Sequence, residues 1–200
     1  MKILNLYAGI GGNRKLWGDE HEIMAVEINP KIAKIYKETY VDDEVIVGDA
    51  HEYLLKHYKE FDFIWASPPC QTHSLAQCGN INRGNFPYPD MSLYQEIILL
   101  KTFFKGIFVI ENVKPYYKPL IPESFRIGRH YFWSNKFILT VQFPSEFTDI
   151  WESTKLMEKA YNVDLSKYKL DTKFKRKILR NMVKPELGKY ILEELTKRIE

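Results

Sequence analysis

Through the first two-thirds of the chain, short apolar runs alternate with amphipathic stretches, the pattern of a parallel sheet wrapped by helices. The runs predict strands over residues 3–7, 22–27, 44–47, 61–66 and 107–110. Helices are expected to start near Gly12, Pro30, His51 and Met91. Pro30 suits the first position of a helix that continues through Ile32, Ala33, Ile35 and Tyr36 on one face. Two later apolar stretches, 131–133 and 137–143, flank Ser134-Asn135-Lys136 and read as an antiparallel hairpin. Residues 145–180 are polar, rich in lysine and helical in pieces. Residues 185–199 read as a helix with Leu187, Ile191, Leu192 and Leu195 together. The class is α/β, a mostly parallel sheet with a C-terminal antiparallel hairpin.

Two stretches fall outside this pattern. Residues 67–90 hold Gly, Asn, Pro and Ser without a convincing helix or strand, and loops of that length in compact domains are usually functional. Residues 115–129, with three prolines, read as a second irregular segment. Composition narrows the class a little further. The hydrophobic share of 45% and charged share of 28% are ordinary for a globular chain. No apolar run approaches the roughly 20 residues that span a bilayer, and no signal peptide is expected at the start. Cys70 and Cys78 make no disulfide framework and fit a reducing cytoplasm. Net charge is only +3, but its distribution is uneven. Lys167, Lys169, Lys173, Lys175, Arg176, Lys177, Arg180 and Lys184 stand against Asp171 alone. That patch can neutralise phosphates, or it is a solvated helix face.

Candidate chemistry collects at the predicted strand ends. Ala8-Gly9-Ile10-Gly11-Gly12 follows the first strand, where glycine lets backbone approach a ligand and turn tightly. Glu27 ends the second strand at the distance of a carboxylate that grips ribose hydroxyls. Gly48-Asp49, followed by Ala50, ends the third, where Asp49 can accept from an adenine amino group. Together these residues describe a nucleoside crevice at the carboxyl edge of a parallel sheet. The bland reading is ordinary turn residues and helix caps. On these residues alone, NAD is a rival ligand.

The fourth strand delivers Ser67-Pro68-Pro69-Cys70-Gln71. Paired prolines fix the exit of the strand and aim the next side chain. Methylating an exocyclic amine can use that amine's own nitrogen, whereas C5 of cytosine is a poor nucleophile. A thiolate added at C6 turns C5 into an enamine-like carbon, so a cysteine after two prolines is informative. The bland reading of a lone cysteine is a small buried hydrophobe. The fifth strand leads into Glu111-Asn112-Val113. A carboxyl leaving an apolar strand beside the Cys70 strand is poorly solvated, which favours its protonated form. Glu111 can then donate to N3 of the base, or it is merely a capping acid before Pro115. Asn112 is placed to tie down the Pro-Cys loop.

The segments Asn5-Leu6-Tyr7-Ala8-Gly9-Ile10-Gly11-Gly12, Pro68-Pro69-Cys70-Gln71 and Glu111-Asn112-Val113, in this order and spacing, resemble three signature motifs of the cytosine-C5 DNA methyltransferases. The likeness covers roughly residues 2–143 and resumes near the C-terminus. It implies a Rossmann-like S-adenosylmethionine-dependent methyltransferase fold, with S-adenosylhomocysteine as product and no metal. By this resemblance Tyr7 packs on the cofactor, and Gly9 and Gly11 line its methionine moiety. Glu27 holds the ribose, Asp49 the adenine, and Ile28 stacks on the adenine. Leu93 stands at a cofactor-contacting position and Pro69 beside the transferred methyl. Asn181-Met182-Val183 resembles the family's final motif, so Asn181 and Val183 are expected to complete the pocket. Ser74 falls in the loop that closes over a flipped base. Asn80, Asn82, Arg83 and Asn85, with Gln71, give that loop the polar content to fill the space behind the base. His51, His57, His73 and His130 show no ligand spacing and read as ordinary.

Two departures from the family pattern stand out. The arginine pair expected before the sixth strand is spaced differently here, in Arg126-Ile127-Gly128-Arg129, with Arg129 the first choice for the base contact and Arg126 the second. The target-recognition region is also much reduced. The expected organisation is a catalytic domain over 1–143, a basic recognition segment over 144–180, and a completing helix over 181–200. In that segment Lys173, Lys175, Arg176 and Lys177 are the candidate phosphate contacts. So short a segment implies relaxed specificity, few base pairs read, or a homodimer that enlarges the DNA-binding surface. The implied partner is double-stranded DNA in a prokaryotic or viral-host cytoplasm, with a cognate restriction endonuclease left open. Two other readings stay open: the same chemistry on a tRNA, and a non-catalytic nucleic-acid-binding subunit.

Overall fold

A computed structural model describes residues 1–78, 88–138 and 153–197. The described residues form a seven-stranded sheet in the order β3-β2-β1-β4-β5-β7-β6. The strands are β1 (Lys2–Leu6), β2 (Glu22–Glu27), β3 (Glu44–Val47), β4 (Phe63–Ala66), β5 (Ile107–Val113), β6 (Phe125–Ile127) and β7 (His130–Ser134). The first five run parallel. β7 pairs antiparallel with β5, and β6 with β7. The helices are α1 (Pro30–Thr39), α2 (Ala50–His57), α3 (Ser92–Phe103), α4 (Thr154–Tyr161), α5 (Thr172–Arg180) and α6 (Pro185–Thr196).

Alternation along each strand divides the core in two. Leu4, Leu6, Ile64, Ala66, Phe108 and Ile110 point to the face covered by α2 and α3. Ile3, Phe63, Trp65 and Val109 point the other way, under Leu187, Ile191, Leu192 and Leu195 of α6. All of these side chains are buried, as strands covered on both faces require. The predicted one-sided stripe of α6 therefore faces the sheet. A third cluster joins Ile178 and Leu179 of α5 to Ile35 of α1 and Ile10 of the glycine loop. The basic segment is thus docked beside that loop.

Three expectations need correcting. No α-helix opens at Gly12. Asn13–Leu16 is a single 3-10 turn whose cap residue, Gly12, offers no side-chain bond, and Gly18 at φ +84° soon turns the chain away. An antiparallel hairpin pairs Phe125–Ile127 with His130–Ser134, one element before the expected one. Its turn uses Gly128 in the left-handed region at φ +57°, a conformation glycine adopts readily. The segment read as irregular therefore contains a strand, since Phe125 and Ile127 point inward and Arg126 outward. Of the strand expected over 137–143, residues 139–143 lie outside the described residues. Finally, the loop after Cys70 holds a 3-10 turn, Leu75–Gln77, capped by the Ser74 hydroxyl, and Ser74 bridges to Pro115.

Candidate active site

The strand order reverses direction between β1 and β4, so their carboxyl ends part to leave a crevice. One side of it is built from β1, β2 and β3. Tyr7 and Gly9 take left-handed conformations, at φ 55° and 57°. The Gly9 N–H donates to Glu27 Oε2 at 3.0 Å, and Asn29 N–H to Glu27 Oε1 at 2.8 Å. A Cβ on Gly9 would meet nothing within 4 Å, so the loop faces open space there. Gly11 and Gly12 are instead packed shut. A Cβ on Gly12 would lie 2.4 Å from the Val183 carbonyl, which seats the Asn181-Met182-Val183 turn against the loop. Ala8 is buried beneath it. Ile28 is 66% exposed, an apolar side chain beside the Glu27 carboxylate. Asp49 caps α2 through Oδ1, accepting from Glu52 N–H at 2.9 Å, with Ala50 buried behind it. Leu93 is buried on α3.

The other side is built from β4 and β5. Ala66 pairs with Ile110, so Pro68-Pro69-Cys70 and Glu111-Asn112 leave adjacent strands together. Asn112 Nδ2 donates to the Pro68 carbonyl at 3.1 Å, and its Oδ1 accepts from Val113 N–H at 2.9 Å. The Cys70 carbonyl accepts from the His73 and Ser74 N–H groups, each at 3.0 Å, which curls the chain just past the thiol. Pro69 and Gln71 are exposed, and Cys70 is half-buried. Burial pushes the Cys70 thiol up, and the Glu111 carboxylate pushes it further. Arg129 and Arg180 act in the opposite direction. Glu111 lies 3.5 Å from His130 Nε2, and burial pushes the His130 imidazole down.

The two candidate arginines are thereby separated. Arg129 sits in the β6–β7 turn, where its charge reaches both Cys70 and His130. Arg126 pairs with Glu123 and lies over the Tyr131 ring at 4.6 Å. Lys173, Arg176 and Lys177 are exposed on α5 and Lys175 is half-exposed. Arg180, at the end of the same helix, faces Cys70 electrostatically. Arg83, Asn80, Asn82 and Asn85 lie outside the described residues.

Other side chains in the crevice carried no expectation. Glu96 of α3 is fully buried and bonds both Tyr7 and His51. Its signal was an acid on the apolar face shared by Leu93, Ile97 and Leu100. Arg14 and Asp43 form a buried ion pair, 3.0 Å between Nε and Oδ2, and Tyr36 donates to the same carboxylate at 2.8 Å. Tyr40 donates to the Gly11 carbonyl at 2.7 Å, so this cluster braces the glycine loop from below. Residues so far apart in sequence left no local signal. Among the described residues no three His, Cys, Asp or Glu side chains gather to hold a metal ion. None of the described helices is long and apolar enough to cross a membrane.

This arrangement defines a methyltransferase of the Rossmann-like class, and a solved methyltransferase from Entamoeba histolytica shares the fold. It superposes with a TM-score of 0.59 at 14% identity, over 98% of this chain and 97% of that one. The family model for C-5 cytosine-specific DNA methylases matches residues 1–120, and the chain belongs to that family. Among its relatives, the Type II methyltransferase M1.HphI of Haemophilus parahaemolyticus is 31% identical over 120 residues, 55% of this chain and 32% of that protein. The tRNA (cytosine(38)-C(5))-methyltransferase of Spodoptera frugiperda is 30% identical over 130 residues, 62% of this chain and 39% of that protein. The matched region thus spans about a third of each of these relatives. Membership of this family implies S-adenosylmethionine as methyl donor. The open face at Gly9, the buried Glu27 carboxylate and the exposed Ile28 fit an adenosyl group.

Proposed function

We propose that this chain methylates C5 of a cytosine in double-stranded DNA, with Cys70 as nucleophile. The observation that carries this reading is the placement of Cys70 and Glu111 just past the paired residues Ala66 and Ile110 of neighbouring strands, across the crevice from Gly9 and Glu27. Bound S-adenosylmethionine supplies an electrophilic methyl group. Tyr7, Gly9, Gly11, Glu27, Ile28, Asp49, Leu93, Asn181 and Val183 would hold it, with Pro69 at the reacting end of the crevice. The Cys70 thiolate adds to C6 of the ring while Glu111 holds a proton at N3, and C5 becomes the attacking carbon. Once C5 carries the methyl group, a solvent water takes the C5 proton, the electron pair left behind expels Sγ from C6 as the thiolate, and Glu111 takes back the N3 proton. Asn112 keeps the Pro-Cys loop in place through the Pro68 carbonyl, and Arg129 meets the base. The burial that raises the thiol disfavours a free thiolate. Arg129 and Arg180 offset part of this, and base and cofactor must be seated before Cys70 attacks.

C6 is out of reach in a stacked duplex, so the cytosine is flipped out of the helix. Ser74 and Gln71 stand at the mouth of the crevice to receive its flanking phosphates. The basic face of α5 supplies further contacts through Lys173, Lys175, Arg176 and Lys177, and its position beside the glycine loop supports this role. Residues 153–180 thus serve as a short recognition segment between the catalytic domain and α6. A second copy of the chain would widen that surface. A reading on tRNA is favoured by the similarity to the Spodoptera frugiperda enzyme. Tritium transfer from labelled S-adenosylmethionine separates the two. Duplex DNA becomes labelled and a 5-fluorocytosine duplex is trapped covalently, and Cys70→Ser does neither. Labelling of tRNA alone overturns the choice of DNA. Full activity of Cys70→Ser overturns the mechanism.

A further inference from the structure

Glu96 has no exposed surface, yet it lies on the inner face of α3 among Leu93, Ile97 and Leu100. Its Oε1 accepts a hydrogen bond from the Tyr7 hydroxyl at 2.5 Å and lies 2.9 Å from His51 Nδ1. Its Oε2 has no hydrogen-bond partner among the described residues. A carboxylate buried this completely costs several kcal/mol unless a cation faces it, and His51 stands in that place. The three side chains come from three separate segments. Tyr7 precedes the glycine loop, His51 follows Asp49 and Ala50 in the first turn of α2, and Glu96 is one helical turn past Leu93. Each neighbours residues assigned above to the adenosyl pocket.

We propose that His51 and Glu96 form a positioning pair, in which the proton on His51 holds the Tyr7, Asp49 and Leu93 segments in the geometry that binds the adenosyl cofactor. The proposal rests on reading the crevice as an S-adenosyl site. Besides Glu96, His51 is faced by Asp49 on its own element, by Asp90 before α3 and by Gln95 of α3. Asp90 also faces His73, whose imidazole burial pushes down, so His73 adds no competing cation. The hydrogen bond that His51 donates to Glu96 pushes His51 up, so its folded value lies above its unfolded one, about 6.5. A group raised in this way stabilises fully below the unfolded value, and the contribution is lost as pH rises through the folded value. Deprotonation leaves Asp49, Asp90 and Glu96 around an uncharged ring, with Tyr7 held only by a carboxylate that has lost its counterion. Cofactor affinity therefore falls as His51 loses its proton.

The test uses calorimetric titration of the full chain with S-adenosylhomocysteine from about pH 6 to about pH 9, with histidine ring signals followed by NMR in the ligand-free protein. Wild-type affinity drops about tenfold across the range. In Glu96→Gln, which keeps an acceptor for Tyr7 but not the charge, affinity is already low at the acid end and the pH dependence flattens. His51 also titrates lower in that variant. His51→Gln, at a half-exposed ring, flattens the profile as well and stands in if Glu96→Gln does not fold. A purely structural role would lower Tm but leave the slope unchanged. An unchanged slope in both variants, or an unmoved His51 titration in Glu96→Gln, overturns the proposal. If the wild type binds no S-adenosylhomocysteine at any pH, the cofactor reading itself fails, and the NMR arm still shows whether the ion pair exists.

Discussion

The two sides of the crevice are built by different rules. On the β1–β3 side most of the polar groups are already engaged with one another. Glu27 takes two backbone N–H groups, Asp49 caps α2, Glu96 holds Tyr7 and His51, and Tyr40 holds the Gly11 carbonyl. On the β4–β5 side the backbone is anchored by Asn112, while the Gln71 and Arg129 side chains are exposed and Cys70 is half-buried between them and the strand ends. A preorganised pocket suits a small ligand of constant shape, since little ordering remains to oppose binding. The looser side suits a polymer that brings its own charges and completes the site on arrival.

The sharpest way to break this comparison is to damage one side and read the other. Cys70→Ser should lower methyl transfer about 1000-fold or more, while calorimetry finds S-adenosylhomocysteine bound as in the wild type. Glu27→Ala should do the reverse. Cofactor affinity falls on the order of 100-fold as two backbone donors lose a charged acceptor, and alkylation of Cys70 by iodoacetamide is unchanged. Gly12→Ala strikes the joint between loop and the 181–183 turn, where a Cβ would lie 2.4 Å from a carbonyl. It should cost about 1–3 kcal/mol of stability by denaturant melts and weaken the cofactor in parallel. Lys173→Glu with Arg176→Glu should weaken nucleic-acid binding about tenfold and flatten its salt dependence by about two ions, with cofactor affinity intact. The smallest effect concerns the thiol. Its alkylation should titrate above an ordinary cysteine, and Arg180→Gln should move that midpoint higher still, because one of the two opposing cations is gone.

What could be read from the chain follows the same division. Strands β1, β4 and β5 were legible because both-sided burial writes short continuous apolar runs, and the edge strand β3 because its β-branched run Val45-Ile46-Val47 favours extended backbone. The glycine loop and Pro68-Pro69-Cys70 were legible because backbone chemistry at strand ends needs particular residues there. Features that depend on distant partners were not. Phe125–Ile127 is a strand because β7 is beside it, and three prolines nearby concealed its alternation. The turn at Asn13 stays short because α6 sits on it so closely that a Cβ at Gly188 would lie 2.3 Å from the Asn13 carbonyl. Glu96 was visible only as an acid out of place on an apolar helical face. His51 was read as ordinary because its partner is 45 residues away. The different surroundings of Arg126 and Arg129 needed three-dimensional neighbours to appear, since their spacing in the chain differs from the family's arginine pair.

The contact between Gly12 and the 181–183 turn has a consequence for how the molecule comes into being. During synthesis the glycine loop emerges from the ribosome more than 170 residues ahead of Val183. Until then the turn that packs against Gly12 is missing from beside the loop. A nascent chain can assemble its parallel strands and still be unable to load a methyl donor. Competence would therefore appear abruptly, when α6 is free to dock. A fragment covering residues 1–138 should regain it only when a peptide carrying residues 153–197 is supplied in trans.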